Sequence, residues 1–90
     1  MDRLANENTA ITVECCGVLE ELCGGPECQL TSLDLPIPIS AVIDRLANEH
    51  PVARDMLQRS ACAVGDRIVS RERLLQLQER LVLLPPVSGG

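Results

Sequence analysis

Hydrophobic and polar positions first alternate with a period of two, over residues 11–16, where Ile, Val and Cys share one face. This alternation predicts a half-buried β-strand. After Gly17, apolar residues at helical spacing in 18–22 predict a helical turn, which Gly24-Gly25-Pro26 should end. A second alternating segment around 27–33 predicts another strand, and the two strands can pair as a hairpin.

The clearest amphipathic helix follows a proline-rich segment. Pro36-Ile37-Pro38 is expected to block continuation of a sheet ladder, because proline has no N–H to donate. Ser40 is predicted as the N-cap, with Asp44 near the first turn, where the helix dipole favours an anion. The helix should end near His50, ahead of Pro51. Its apolar face is predicted from Ile39, Val42, Ile43 and Leu46.

Short elements fill the second half of the chain. Residues 52–59 are predicted as a second short helix preceded by a proline. Residues 61–64 and 67–69 are predicted strands, because Gly65-Asp66 between them is typical of a two-residue hairpin turn. A charged stretch with no clear period follows, and the apolar run 81–84 predicts a last strand.

The order of these elements indicates an α+β fold. The elements follow one another as strand, strand, helix and further strands. Their apolar faces are buried most simply when the helices pack on one face of a mixed sheet. This arrangement is the β-grasp, or ubiquitin-like, fold with a central helix. The predicted division is a flexible N-terminal arm over 1–10, a β-grasp domain over 11–84, and an extended tail over 85–90.

The composition disfavours several classes of function. Phe, Tyr and Trp are absent, so the core must be aliphatic. The net charge is −5 and all eight basic residues are Arg, so the chain offers little counterion release on nucleic acid and no aromatic platform for bases. No segment has the pattern of a signal peptide or a membrane helix. We therefore expect a soluble, cytoplasmic protein that binds neither nucleic acid nor membranes.

Five cysteines invite a metal or redox interpretation. Cys15, Cys16, Cys23 and Cys28 lie close together, but their spacing is not a repeated CxxC pair, and neighbours in a strand point to opposite faces. No metal site is predicted. The thiols are interpreted as small apolar fillers, reduced in the cytoplasm, with one or two exposed. A persulfide-carrying cysteine is the alternative, although the sequence provides no cationic setting that would activate a thiol.

The last residues form a candidate reactive C-terminal tail. Pro85-Pro86 favours a stiff, extended backbone, and residues 85–90 can reach up to about 20 Å. Gly89 and Gly90 have no Cβ, so the backbone can enter a narrow tunnel in another protein. A carboxylate must be activated before it reacts, typically as an acyl-adenylate. The alternative is that a glycine-rich end is a frayed terminus or a cloning remnant.

The ending Leu83-Leu84-Pro85-Pro86-Val87-Ser88-Gly89-Gly90 resembles that of the small subunit of molybdopterin synthase, in the MoaD/ThiS family of β-grasp sulfur carriers. That family ends in two bulky apolar residues followed by Pro-Pro-Val-Ser/Ala-Gly-Gly. The likeness extends weakly over residues 11–90 and includes the central helix that finishes at His50-Pro51.

The resemblance implies a sulfur carrier of molybdenum cofactor biosynthesis that reacts through Gly90. An E1-like adenylating enzyme would use ATP to activate the Gly90 carboxylate, and sulfur transfer would leave a thiocarboxylate. The tail would then enter the large subunit of molybdopterin synthase, in an expected heterotetramer, and donate sulfur to a cyclic pyranopterin precursor. The chain alone would hold no stable cofactor, and catalysis would belong to the complex. The tail residues implied are Pro85, Pro86, Val87, Ser88 and Gly89.

In that family, partners hold the carrier through an apolar patch on the open face of its sheet. By position, the resemblance implies that Ile68, Leu84 and Cys16 belong to this patch. Ordinary core packing is the alternative for each of the three.

The sequence departs from the family at two places. Leu83-Leu84 stand where the family usually has aromatic residues, and Gln78-Glu79 stand where its turn before the last strand usually has Gly-Asp. The first departure leaves the carboxyl chemistry unchanged, and the second leaves the geometry of the turn open. Three other functions also remain open: a ubiquitin-like modifier of target lysines, a sulfur carrier for thiamin or cysteine synthesis, and a binding module whose tail has no chemical role.

Overall fold

The computed structural model describes residues 10–86. Its strands are β1 (Ile11–Cys15), β2 (Glu27–Leu30), β3 (Ile37–Pro38), β4 (Ala61–Val64), β5 (Arg67–Val69), β6 (Leu74–Leu75) and β7 (Arg80–Leu84). Its helices are α1 (Val18–Leu22), α2 (Ile39–Glu49), a 3₁₀ turn (Pro51–Ala53) and α3 (Arg54–Arg59). Residues 1–9 of the predicted arm and residues 87–90 of the predicted tail lie outside the described part.

Five strands form a mixed sheet in the order β2-β1-β7-β4-β5. β1 and β7 pair in parallel, with Cys15 opposite Leu83, whereas the other neighbours pair antiparallel. The last strand along the chain therefore lies in the middle of the sheet. The short strands β3 and β6 pair separately. This arrangement, with helices packed on a mixed sheet, confirms the predicted α+β, β-grasp fold.

Helix α2 supplies one side of the core. Its apolar residues recur every three or four positions, so they form a single stripe, and this stripe packs against the buried face of the sheet. Each fully buried aliphatic side chain contributes roughly 1.5–3 kcal/mol, so burial of the stripe is a main source of stability. All four residues predicted for this face are 0–1% exposed: Ile39, Val42, Ile43 and Leu46.

Several predicted elements are confirmed almost to the residue. The first strand has its predicted inner face buried at Ile11, Val13 and Cys15. The hairpin of β4 and β5 turns at Gly65, whose φ of 64° requires a left-handed conformation. Helix α2 ends at Glu49, with His50 as its C-cap.

Two local predictions about the strands are wrong. Pro36-Ile37-Pro38 does not stop sheet pairing, because Ile37 lies opposite Leu75 in the β3–β6 pair. The missing proline donor is tolerated there because the pair is only two residues long and the next residue supplies the bond: the Ile39 N–H donates to the Arg73 carbonyl at 3.0 Å. The second strand ends at Leu30 rather than near residue 33, because the chain turns at Ser32, where φ is 62°.

The start of α2 also differs from its prediction. The N-cap is Pro38, and Ser40 lies within the first turn. The Ser40 N–H donates to the Arg71 carbonyl at 2.9 Å. A backbone hydrogen bond to the segment before β6 therefore takes the place of a side-chain cap. Asp44 lies beyond the first turn, which contains no acidic residue.

The turn before β7 forms with Gln78 and Glu79 in place of the Gly-Asp of the resembled family. Gln78 takes a φ of 71°. The Glu79 carboxylate accepts the Gln76 N–H at 2.8 Å and two bonds from the Arg73 guanidinium, at 3.0 and 2.9 Å. The hydrogen bonds from Arg73 have the largest effect, and together with the bond from Gln76 they hold the pKa of Glu79 below its usual value. The charged side chains of this segment therefore fix the turn.

Within residues 10–86, the helices are too short or too polar to cross a membrane.

Candidate functional site

The tail leaves the domain from the centre of its sheet. β7 lies between β1 and β4, so both sides of its backbone are paired before the chain reaches Pro85. Pro85 is half-buried and Pro86 is exposed. The first tail residue therefore packs against the domain, and the second is exposed to solvent. The remaining predicted tail residues, Val87, Ser88, Gly89 and Gly90, lie outside the described residues.

An apolar groove of about 550 Å³ surrounds this exit point. One wall is the β1–α1 connection, and α3 contributes Met56. None of the described residues that line the groove is acidic, basic or His, so it can pack apolar groups but cannot transfer protons by carboxylate or imidazole. The described residues that line it are Cys16, Gly17, Val18, Met56, Leu84, Pro85 and Pro86.

The face of the sheet opposite α2 is divided into a polar half and an apolar half. The polar half covers β2, β1 and the start of β7. There Arg80 pairs with both Glu14, at 3.1 Å, and Glu27, while the Gln29 amide donates to the Thr12 hydroxyl at 2.8 Å. These groups satisfy one another, so this half is not a vacant charged site.

The apolar half covers the end of β7 together with β4 and β5. Register places Val82 of β7 opposite Ala63, and Ala63 opposite Ile68, so these three share one face. Leu84 follows on the same face, opposite Ala61. Ile68 is 66% exposed. Ala63 is buried and Val82 and Leu84 are half-buried, so Ile68 is the exposed centre of this apolar strip. Exposed apolar side chains beside partly exposed apolar neighbours are candidates for an interaction site.

The three residues predicted for a partner patch lie in adjacent parts of this region. Ile68 and Leu84 are on the apolar half of the open face. Cys16 is half-buried in the groove beside Leu84. The groove and the apolar half are continuous through Leu84, but their role in binding a partner stays a prediction.

The interior cysteines are not suited to sulfur chemistry. Burial raises the pKa of Cys15, Cys23 and Cys62, and the neighbouring thiols of Cys23 and Cys28 raise that of Cys15 further. A thiol with a raised pKa is a poor nucleophile, which argues against a persulfide on these three residues. Cys15 and Cys16 do face opposite sides, buried and half-buried. Across residues 10–86, no cluster of three or more His, Cys, Asp or Glu residues is arranged to hold a metal ion.

The sequence did not indicate three walls of the groove. Gly17 was interpreted only as the end of a strand, yet it has a φ of 56° and its Cα faces the Pro85 ring. Val18 falls in the predicted helical turn over 18–22, and Met56 falls in the predicted helix over 52–59, where nothing in the sequence singles it out. The sequence does contain one signal, a glycine directly after the first strand. Its meaning depends on the parallel pairing of β1 with β7, which places this glycine beside the start of the tail.

The model of the ThiS family matches residues 17–90 of this chain. That match covers most of the domain and runs through the two terminal glycines. A search of curated proteins finds no match of comparable significance.

Solved structures share the same fold at low sequence identity. SAMP1 from Haloferax volcanii is 18% identical, with a TM-score of 0.78 over 90% of this chain and 99% of that one. The small archaeal modifier protein 1 from Methanosarcina acetivorans is 20% identical, with a TM-score of 0.76 over 91% and 97% of the two chains. A chain in the complex of subunits 1 and 2 of molybdopterin-converting factor from Helicobacter pylori is 18% identical, with a TM-score of 0.61 over 90% and 99%.

Proposed function

Because this chain belongs to the ThiS family, we propose that it is the sulfur carrier subunit of molybdopterin synthase and that its reagent is the Gly90 carboxylate. The observation that carries this proposal is the family match through residue 90, at the end of a tail that starts from the central strand. The described residues around the tail exit offer an apolar surface and no acid–base pair, as suits a carrier whose chemistry is supplied by others.

The proposed reaction takes place in the active sites of two partners. An E1-like adenylating enzyme joins the Gly90 carboxylate to AMP from ATP, and pyrophosphate leaves. A sulfur nucleophile then displaces AMP and leaves a Gly90 thiocarboxylate. In the large synthase subunit, the thiocarboxylate sulfur forms a bond to carbon of a cyclic pyranopterin precursor. Water then cleaves the bond between this sulfur and the Gly90 carbonyl carbon, which restores the Gly90 carboxylate. The complex of subunits 1 and 2 in the Helicobacter pylori structure supports a large-subunit partner for a chain of this fold.

The apolar half of the sheet and the groove suit docking beside these active sites. Both lie at the end of β7 from which the tail leaves, so a partner that covers them receives the tail directly. Burial of apolar area would supply affinity, and the stiff Pro85-Pro86 segment would limit the entropy lost when the tail is threaded.

Reconstitution tests the proposal. The intact chain is incubated with an adenylating enzyme, ATP and inorganic sulfide, and its mass is measured. We expect a product heavier by the exchange of one oxygen for one sulfur, located at Gly90. A chain lacking Gly89 and Gly90 should give no product, whereas a chain lacking residues 1–9 should react normally. A molybdoenzyme-deficient strain without its own carrier should be restored by the intact chain and not by the chain lacking its two glycines.

A ubiquitin-like modifier is the second candidate, because two of the structural neighbours are named small archaeal modifier proteins. A modifier would form isopeptide bonds between Gly90 and lysines of other proteins. This chain has no lysine, so it could not extend such conjugates through its own side chains. Mass spectrometry of cell extracts separates the candidates: Gly90-linked lysine peptides favour the modifier, whereas a free thiocarboxylated chain favours the carrier.

A further inference from the structure

Gly17 lies beside the first residue of the tail. β1 and β7 pair in parallel, with Cys15 opposite Leu83, so the next residues bring Gly17 alongside Pro85. A Cβ placed on Gly17 would lie 3.3 Å from the Cγ of Pro85, closer than ordinary carbon contacts allow. Gly17 also has a φ of 56° and a ψ of −134°, which side-chain-bearing residues rarely adopt.

We propose that Gly17 is a positioning residue for the tail: the space left by its missing side chain determines where the Pro85 ring rests and in which direction the chain continues toward Gly90. This proposal rests on the proposed function, in which Gly90 must reach an active site in a partner.

The backbone on both sides of Gly17 is held by hydrogen bonds, so the Pro85 ring is the neighbouring group that a new side chain would push. The Cys15 N–H donates to the Pro26 carbonyl at 2.7 Å, and the Gly17 carbonyl accepts the Glu20 N–H at 3.1 Å as α1 begins. A methyl group on Gly17 therefore pushes against the proline ring, which is at the end of its strand and only half-buried.

A small shift at Pro85 is passed on to the tip of the tail. Proline fixes φ near −65°, so two consecutive prolines transmit a change of direction instead of absorbing it. Four residues follow Pro86 and the last of them is Gly90, so the position of the carboxylate depends on where Pro85 and Pro86 place the start of the tail. Misplacement of a reacting group by about 1 Å can cost up to 100-fold in rate.

The test compares two glycine variants. Gly17→Ala and Gly65→Ala both place a side chain at a positive φ, 56° and 64° respectively, but only Gly17 faces the tail, since nothing lies within 4 Å of a Cβ at Gly65. With the adenylating enzyme and ATP, we expect kcat for Gly90 adenylation to fall roughly tenfold in Gly17→Ala, with KM changed less than twofold because the docking surface is intact. Gly65→Ala should match the wild type in both constants.

A second substitution separates positioning from loss of folding. Pro85→Ala removes the ring carbon that the new methyl group would meet. We expect the double variant Gly17→Ala/Pro85→Ala to have the same kcat as Pro85→Ala alone, within twofold. If Gly17→Ala lowers kcat equally in both backgrounds, or leaves it at the wild-type value, the proposal is overturned.

A measurement on the free protein keeps the outcome separate from that of the proposed function. Residual dipolar couplings of the Val87 and Ser88 amides report the direction of the tail without any partner. We expect them to change in Gly17→Ala and to stay the same in Gly65→Ala, and identical couplings in all three proteins would contradict the proposal. Failure of the wild type to be adenylated would instead contradict the proposed function alone.

Discussion

Three cysteine thiols lie in the interior of the domain, at Cys15, Cys23 and Cys62, and each is 2% exposed. Desolvation is the leading cause of their raised pKa values, since a buried thiolate is separated from water. At Cys62, the positive charge of Arg71 lowers the pKa, but this effect is smaller than the increase caused by burial. These residues therefore act as small apolar side chains that hold their protons.

Alkaline pH should destabilise the domain through these thiols. In the unfolded chain a thiol loses its proton near its ordinary pKa of 9.0, whereas the folded chain retains it. Above pH 9 the folded state therefore binds more protons, and the free energy of unfolding falls as the pH rises. The chain has no Lys or Tyr, so cysteine thiols are the side chains that titrate between pH 9 and 11. Urea unfolding across this range measures the slope.

Single variants identify the source of that slope. Cys62→Ala should reduce the pH dependence, because it removes one buried thiol. Cys16→Ala, at a half-buried position in the groove, should leave most of it unchanged. A slope that is the same in both variants and in the wild type would contradict the assignment to interior thiols.

Among the elements, α3 depends on a residue that is remote in sequence. The Arg71 guanidinium donates to the carbonyls of Leu57, Gln58 and Ser60, at 3.0, 2.7 and 2.7 Å. These carbonyls lie at the C-terminal end of α3, where a helix leaves acceptors without internal partners. Arg71 thus fastens the end of α3 to the segment that precedes β6.

Arg71→Ala should lower the free energy of unfolding by about 1–2 kcal/mol, because three acceptors lose a charged donor that is only partly replaced by water. The free energy of unfolding of Arg71→Lys should lie between those of Arg71→Ala and the wild type, because an ammonium group keeps the charge but lacks the planar arrangement of guanidinium donors. The matched control is Arg59→Ala, which removes an ion pair with Asp55 whose side chains are 60% and 82% exposed. We expect less than about 0.5 kcal/mol there. Equal losses in urea unfolding would contradict the role of Arg71.

Elements with a clear local period could be predicted from the sequence, and elements made by distant pairing could not. β1 and α2 follow from the spacing of their apolar residues, and the β4–β5 hairpin follows from Gly65-Asp66. The β3–β6 pair contains two residues from each strand, so it has no period to detect, and it forms only because Ile37 meets Leu75. Likewise, the Ser40 N–H is satisfied by Arg71, which no local capping rule identifies.

The candidate site follows the same rule. The last residues and their resemblance to a family lead to the hypothesis of a reactive tail, and the family match runs through residue 90. The groove could not, because it requires the parallel pairing of β1 with β7 and the approach of Met56 from α3. Gly17 is the clearest case: its local pattern shows the end of a strand, and only the tertiary structure shows the proline ring that it accommodates.

At the scale of the whole molecule, the open face of the sheet has an apolar half that no described element covers. Ile68→Arg should weaken binding to the large synthase subunit at least tenfold, about 1.4 kcal/mol, because a charge would be buried in the contact. The control is Leu77→Arg, another exposed apolar position, 45% exposed against 66% for Ile68, located before β7 rather than beside its end. Isothermal titration calorimetry measures both. Binding that is unchanged in Ile68→Arg would remove this residue from the interface.

The central position of β7 has a consequence for synthesis of the protein. β1 and β4 have no shared neighbour until residues 80–84 leave the ribosome and enter the gap between them. A nascent chain that stops earlier lacks the middle of its own sheet and remains an unfolded substrate for proteases. The sheet is therefore expected to close only after the strand from which the tail extends has been synthesised.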